Sequence, residues 1–153
     1  MGNIKKVCEE IAVFSLEKLE LNSDAALRMV MTTGQTESGY DYLRQIKGPA
    51  IGFWQMEPAT MWDIWENYVL YRPKYKEALW RLGFNEGFGE QSLLSNLAVQ
   101  AAFCRIVYLR DPYPIPSLND LEEQARCCKR AYNTKLGKGT IEHFMEANED
   151  GFC

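Results

Sequence analysis

The segment SLLSNLAVQAAFCRIVYLR, residues 92–110, places Leu93, Leu94, Leu97, Ala98, Ala101, Cys104 and Tyr108 at helical spacing and is apolar on nearly all sides. A helix with no polar face is stable only where other elements cover it all round. The chain is therefore expected to wrap further helices about this one. Its 153 residues suit one domain, 1–153, with one core.

The rest of the chain supplies those helices. An amphipathic helix is expected over about residues 3–20, with Ile4, Val7, Cys8, Ile11 and Phe14 on its apolar face. Ser23 is a good N-cap for a second helix, which carries Ala26, Leu27, Val30 and Met31 and runs toward Glu37. Glycines at 39, 48 and 52 then make a loop or a small irregular hairpin. Pro58 opens a helix at its first turn, Arg72-Pro73 breaks it, and KYKEALWRL follows as a short helix. GFNEGFGE reads as a glycine-rich turn. Ser117 offers a capping box with Asp120 for a helix to about Tyr132, and Thr140 caps a last helix to about Asn148. The fold class is mainly α, with six to eight helices and at most a tiny β-hairpin.

Several classes of function are excluded. A net charge of −4 argues against a general nucleic-acid binder. No apolar run approaches the roughly 20 residues of a membrane span. The five cysteines, Cys8, Cys104, Cys127, Cys128 and Cys153, are odd in number and form no CxxC pair, which fits reduced thiols. The single histidine, His143, has no ligand at a metal-binding spacing and reads as a helix-surface residue, so no metal is expected. Arg126, Lys129, Arg130, Lys135 and Lys138 fall in a run without acids, 125–140. That run is either a solvated face or a basic rim for an anionic polymer.

The stretch TESGYDYLRQIKGPAIGFWQMEP, residues 36–58, carries the chemistry. It gathers Glu37, Gln55 and Glu57 near Trp54, with glycines between them. Together with AYN at 131–133 it resembles the goose-type lysozyme and soluble lytic transglycosylase superfamily, across roughly residues 25–145. The matching features are an ES pair at a helix end, a glycine loop leading to Gln55, Pro58 and Thr60, and the later AYN. The wording looks most like short lysozyme-like proteins encoded by bacteriophages. Phe53-Trp54 stands in place of the family's Leu-Met, Pro49 in place of a frequent glycine, and the loop after AYN is longer.

The resemblance implies a lysozyme-like helical fold. It implies cleavage of the β-1,4 bond between N-acetylmuramic acid and N-acetylglucosamine in peptidoglycan, with no cofactor. Glu37 would be the catalytic acid, protonating the leaving oxygen; that task needs a carboxyl whose pKa is raised by an apolar site and by the helix dipole. Gln55, Trp54, Tyr132 and Asn133 would hold the sugars. Three of these have a plain alternative: Glu37 as a surface glutamate, Gln55 as a partner for loop backbone, Asn133 as a helix C-cap. Trp62, Trp65 and Trp80 read as core.

Glu57 bears on the reaction type. An inverting hydrolase needs a second carboxylate to activate water, whereas a transglycosylase needs none because the sugar's own hydroxyl attacks. Glu57 is the candidate base, with Asp41 and Asp63 as weaker ones, and hydrolysis is favoured over formation of 1,6-anhydro products. The alternative from another class is a non-catalytic virion or wall-binding protein on the same fold. The expected partners are glycan strands and phage virion proteins, with no nucleic acid and no membrane insertion. The N-terminal helix is broken by acids and is not a secretory signal, so the protein is expected to be made in a bacterial host's cytoplasm and to act at the wall, as a virion component or at lysis.

Overall fold

The structure is a computed structural model and describes residues 3–45, 47–132 and 140–149. Among these residues there are eight α-helices: α1 (Asn3–Lys18), α2 (Asp24–Glu37), α3 (Pro58–Asn67), α4 (Pro73–Arg81), α5 (Gly89–Ser95), α6 (Leu97–Arg110), α7 (Leu121–Ala131) and α8 (Ile141–Asn148). Short 3-10 turns stand at Val69–Tyr71 and Glu86–Phe88. No strand forms among the described residues; the 38–57 loop holds two isolated antiparallel bridges, Arg44 with Ile51 and Ile51 with Met56. The chain is thus mainly α, as the periodicity implies.

Helix α6 is the centre. It packs on α1, α2, α3 and α5. Ala101, Cys104 and Tyr108 face one apolar cluster, shared with α1, α2, α7 and α8. Val99, Ala102, Phe103 and Ile106 face a second, shared with α3 and α4. An all-round apolar sequence is what a helix serving two clusters at once requires. The long apolar segment is nevertheless not one helix. Asn96 ends α5 and caps α6, its side chain accepting from Val99 N–H at 3.0 Å, and the two pieces meet at 98°. No single helix is long and apolar enough to cross a membrane among the described residues.

Local signals fix most boundaries. Ser23 accepts from Ala26 N–H and starts α2, and Pro58 and Pro73 each stand at the start of a helix. α7 begins later than expected. Asp120, not Ser117, is its N-cap, accepting from Glu123 N–H at 3.0 Å. A carboxylate there also suits the positive end of the helix dipole.

α1 buries a different face from the expected one. Cys8, Ala12, Ser15 and Leu16 are buried, whereas Ile4, Val7 and Phe14 are exposed and Ile11 is half-buried. The small residues let α1 approach α6 closely, and Ser15 donates its hydroxyl to the Ala98 carbonyl at 2.8 Å. Of the three tryptophans read as core, Trp65 is fully buried, Trp62 is partly buried, and Trp80 is exposed beside Lys76.

Candidate functional site

α2 ends where the chemistry was expected. Its last turns carry three buried threonines whose hydroxyls bond back to the helix: Thr32 to Arg28 O at 2.7 Å, Thr33 to Met29 O at 2.6 Å and Thr36 to Thr32 O at 2.7 Å. These bonds satisfy polar groups that would otherwise be costly in a core. Glu37 closes the helix, half-buried, and its carbonyl accepts from the Tyr42 hydroxyl at 2.9 Å. Gly39 and Tyr40 then adopt left-handed backbone, φ 62° and 60°, which turns the chain back over α2.

The 48–56 loop is pinned from three sides. Ser38 donates to the Phe53 carbonyl at 2.6 Å. The hydroxyl of Tyr132, the C-cap residue of α7, donates to the Trp54 carbonyl. Gln100, buried in α6, accepts from Phe53 N–H at 3.0 Å. Gly52 is required here. Its φ is +83°, and a Cβ would lie 2.5 Å from Leu93 O and 2.6 Å from the Gln100 side-chain oxygen. The helix end with Glu37, the glycine loop and Tyr132 therefore meet, though they are far apart in sequence.

The electrostatics agree. Burial is the main cause that pushes the Tyr132 phenol and the Cys104 and Cys128 thiols up, Cys128 to about 12. The Glu37 carboxylate adds to the rise at all three. Tyr132 stacks on Tyr108 at 5.9 Å, and the Tyr108 hydroxyl is 2.7 Å from that of Thr33. Burial thus keeps the Cys104 and Cys128 thiols and the Tyr132 phenol neutral at ordinary pH.

Gln55 sits in this loop with φ 48°, a left-handed conformation that side chains rarely adopt. Strain of this kind persists only where the surroundings enforce it, and it clusters at functional sites. Its side-chain nitrogen donates to Gly52 O at 2.9 Å, while its oxygen is buried without a partner. Gln55 thus serves the loop backbone and still holds one unused acceptor.

Trp54 does not present a sugar platform. Its ring is 1% exposed, its N–H donates to Val30 O at 2.8 Å, and Tyr40 packs edge-on at 5.8 Å. A ring closed on all sides has no face to offer a ligand. Trp54 is a core residue that carries the loop's carbonyl to Tyr132. Asn133, Lys135 and Lys138 lie outside the described residues.

Glu57 is exposed at the N-cap of α3, and its side chain makes no capping bond. Asp41 is exposed. Asp63 is exposed and held by Asn67 at 2.7 Å and Arg110 at 2.8 Å; these bonds lower its pKa from the usual carboxylate value. An aspartate so engaged is poorly suited to be a base.

The basic run is compensated in part by acids outside it. Arg126 is bound by Glu122 and Glu123, and Arg130 by Asp111 at 2.9 Å. At these two positions it is not an open positive rim.

Some contributors left no sequence signal. Gln100 looks like one more residue of an apolar helix, and only the fold reveals its contact with Phe53. His143 is exposed, but its ring nitrogen lies 3.1 Å from the Thr36 carbonyl and so must donate to it, tying α8 to the end of α2.

No known protein family, no curated protein and no solved structure matches this chain. The resemblance to goose-type lysozymes and lytic transglycosylases rests on its motifs alone.

Proposed function

We propose that the protein is a muramidase on a lysozyme-like fold, hydrolysing the β-1,4 bond between N-acetylmuramic acid and N-acetylglucosamine in peptidoglycan. One observation carries the reading. The Ser38 bond to Phe53 O and the Tyr132 bond to Trp54 O join the Glu37 end of α2 to the glycine loop and the end of α7, the three segments whose wording resembles this enzyme class.

In this reading Glu37 gives its proton to the glycosidic oxygen as the bond to the anomeric carbon breaks. Water adds to that carbon, and Glu57 takes the water's proton. Gln55 holds the loop beside Glu37 through its bond to Gly52 O; its unpaired oxygen is buried in this conformation and meets a sugar only when the loop opens. The motifs look like those of phage enzymes, which fits action at the wall from a virion or at lysis.

The experiment is mass spectrometry of purified peptidoglycan incubated with the protein and with Glu37→Gln. Reducing ends that the variant fails to make, by at least about a hundredfold with folding retained, are the expected result. Anhydro ends would make the enzyme a lytic transglycosylase. No products from the wild type, or equal products from the variant, would remove the assignment.

A further inference from the structure

α6 buries two strongly polar side chains, Gln100 and Arg105, each with side-chain nitrogen left without a partner. Gln100 accepts from Phe53 N–H. Arg105 is 8% exposed, and its Nε and Nη1 are shut off from solvent with no hydrogen-bond partner. No carboxylate pairs with it among the described residues. Burial lowers its pKa from the ordinary guanidinium value, yet the group keeps its charge at neutral pH. A buried charge without a counter-charge is among the most costly arrangements in a protein.

Tyr68, at the end of α3, and Tyr75, in α4, pack against the cluster that α6 shares with those helices, and neither accepts a hydrogen bond from Arg105 Nε or Nη1. A second guanidinium, that of Arg72, stands 3.5 Å over the Tyr68 ring. Lys74 lies 5.7 Å from the Tyr75 ring and pairs with Glu20 at 3.4 Å. Arg72 and Lys74 thus stand beside the two phenols, Lys74 with Glu20 as its counter-charge.

We propose that Arg105, beside Tyr68 and Tyr75, is the floor of an oxyanion-binding site that takes a carboxylate or phosphate group. The planar fork suits this ligand. Nη2 forms a donor pair with Nε along one edge and with Nη1 along the other, so an oxyanion that reaches Nη2 also meets a nitrogen now lacking a partner. The proposal does not depend on the reading of Glu37.

The test is thermal unfolding near neutral pH at one ionic strength in sodium chloride, sodium acetate and sodium phosphate. A ligand that binds only the folded state raises its stability. Acetate or phosphate is expected to raise the midpoint by about 2–4 °C over chloride, and whichever acts identifies the carboxylate or the phosphate source. Arg105→Met, which removes the unpaired charge at similar volume, should be at least as stable as the wild type in chloride and should lose the response. Equal midpoints in all three salts, or a response that survives in Arg105→Met, would overturn the site. Should that variant not fold, the wild-type arginine Nε–H NMR signal decides: it moves and saturates as phosphate is added, or it stays and the proposal fails.

Discussion

Ser38 and Phe53, 15 residues apart, are joined by a 2.6 Å hydrogen bond from the serine hydroxyl to the phenylalanine carbonyl. The same hydroxyl accepts from Tyr40 N–H at 3.0 Å. One buried side chain thus fixes both the left-handed turn after Glu37 and the loop that carries Gln55. Ser38→Ala leaves two buried backbone groups without that partner and is expected to cost about 1–3 kcal/mol. Urea unfolding measures it. Because the loop loses an anchor, the proposed wall-cleaving activity should fall further in Ser38→Ala than in Ser38→Thr. A stability loss near zero would mean the serine does not hold the loop.

Much of this arrangement is legible from local chemistry. Ser23, Pro58 and Pro73 each mark a helix start by a mechanism confined to one turn, and the glycines at 39 and 52 mark positive φ. What escapes is set by distant contact. The apolar arc of α1 is wider than the strip that α6 can cover, so the pattern cannot say that Cys8, Ala12 and Leu16 are buried while Phe14 is not. Trp54 between glycines looks free, yet the fold closes Tyr40 and Val30 around it. Asn96 lies inside an apolar run, and its capping role shows only once α6 turns away from α5.

Gly34 gives a prediction whose sign reverses the usual rule. Within an exposed helix, replacing glycine by alanine stabilises by roughly 1 kcal/mol. Here a Cβ would stand 2.3 Å from the Tyr40 hydroxyl oxygen and 2.6 Å from the ring carbon bearing it. Tyr40 cannot easily yield, since it is buried and donates to Met31 O at 2.7 Å. Gly34→Ala is expected to destabilise by about 1–3 kcal/mol, the usual cost of overpacking. In a Tyr40→Leu background the penalty should shrink or change sign. Denaturant midpoints of the four proteins of that cycle decide it.

The thiols set an alkaline limit. Burial is the main cause that raises Cys8 to about 11 and Cys128 to about 12, against an ordinary 9.0. In this range the unfolded chain has lost protons that the folded chain retains. Stability is therefore full below pH 9.0 and falls as pH rises toward about 12. Thermal midpoints across that window should decline, and Cys128→Ala should flatten the slope. Native protein at mildly alkaline pH should also resist iodoacetamide at Cys8, Cys104, Cys127 and Cys128, all buried, until denaturant is added. Rapid alkylation of these four in the native state would contradict the burial.

Glu57 separates the two reaction types, and its position makes the test clean. It is exposed, and its side chain makes no bond to the helix it caps. Glu57→Gln should therefore change stability by no more than about 0.5 kcal/mol. If Glu57 activates the attacking water, the variant should release reducing ends about a hundredfold more slowly, the lower end for a lost general base. If the sugar's own hydroxyl is the nucleophile, the wild type releases anhydro ends and the substitution matters little. An inverting displacement also requires the carboxyls of Glu37 and Glu57 to stand roughly 6.5–9.5 Å apart with the sugar between them. A crystal structure with a bound glycan fragment would measure that gap. A Glu57 turned to solvent in that complex, together with an unimpaired Glu57→Gln, would leave Glu37 as the only carboxylate in the reaction.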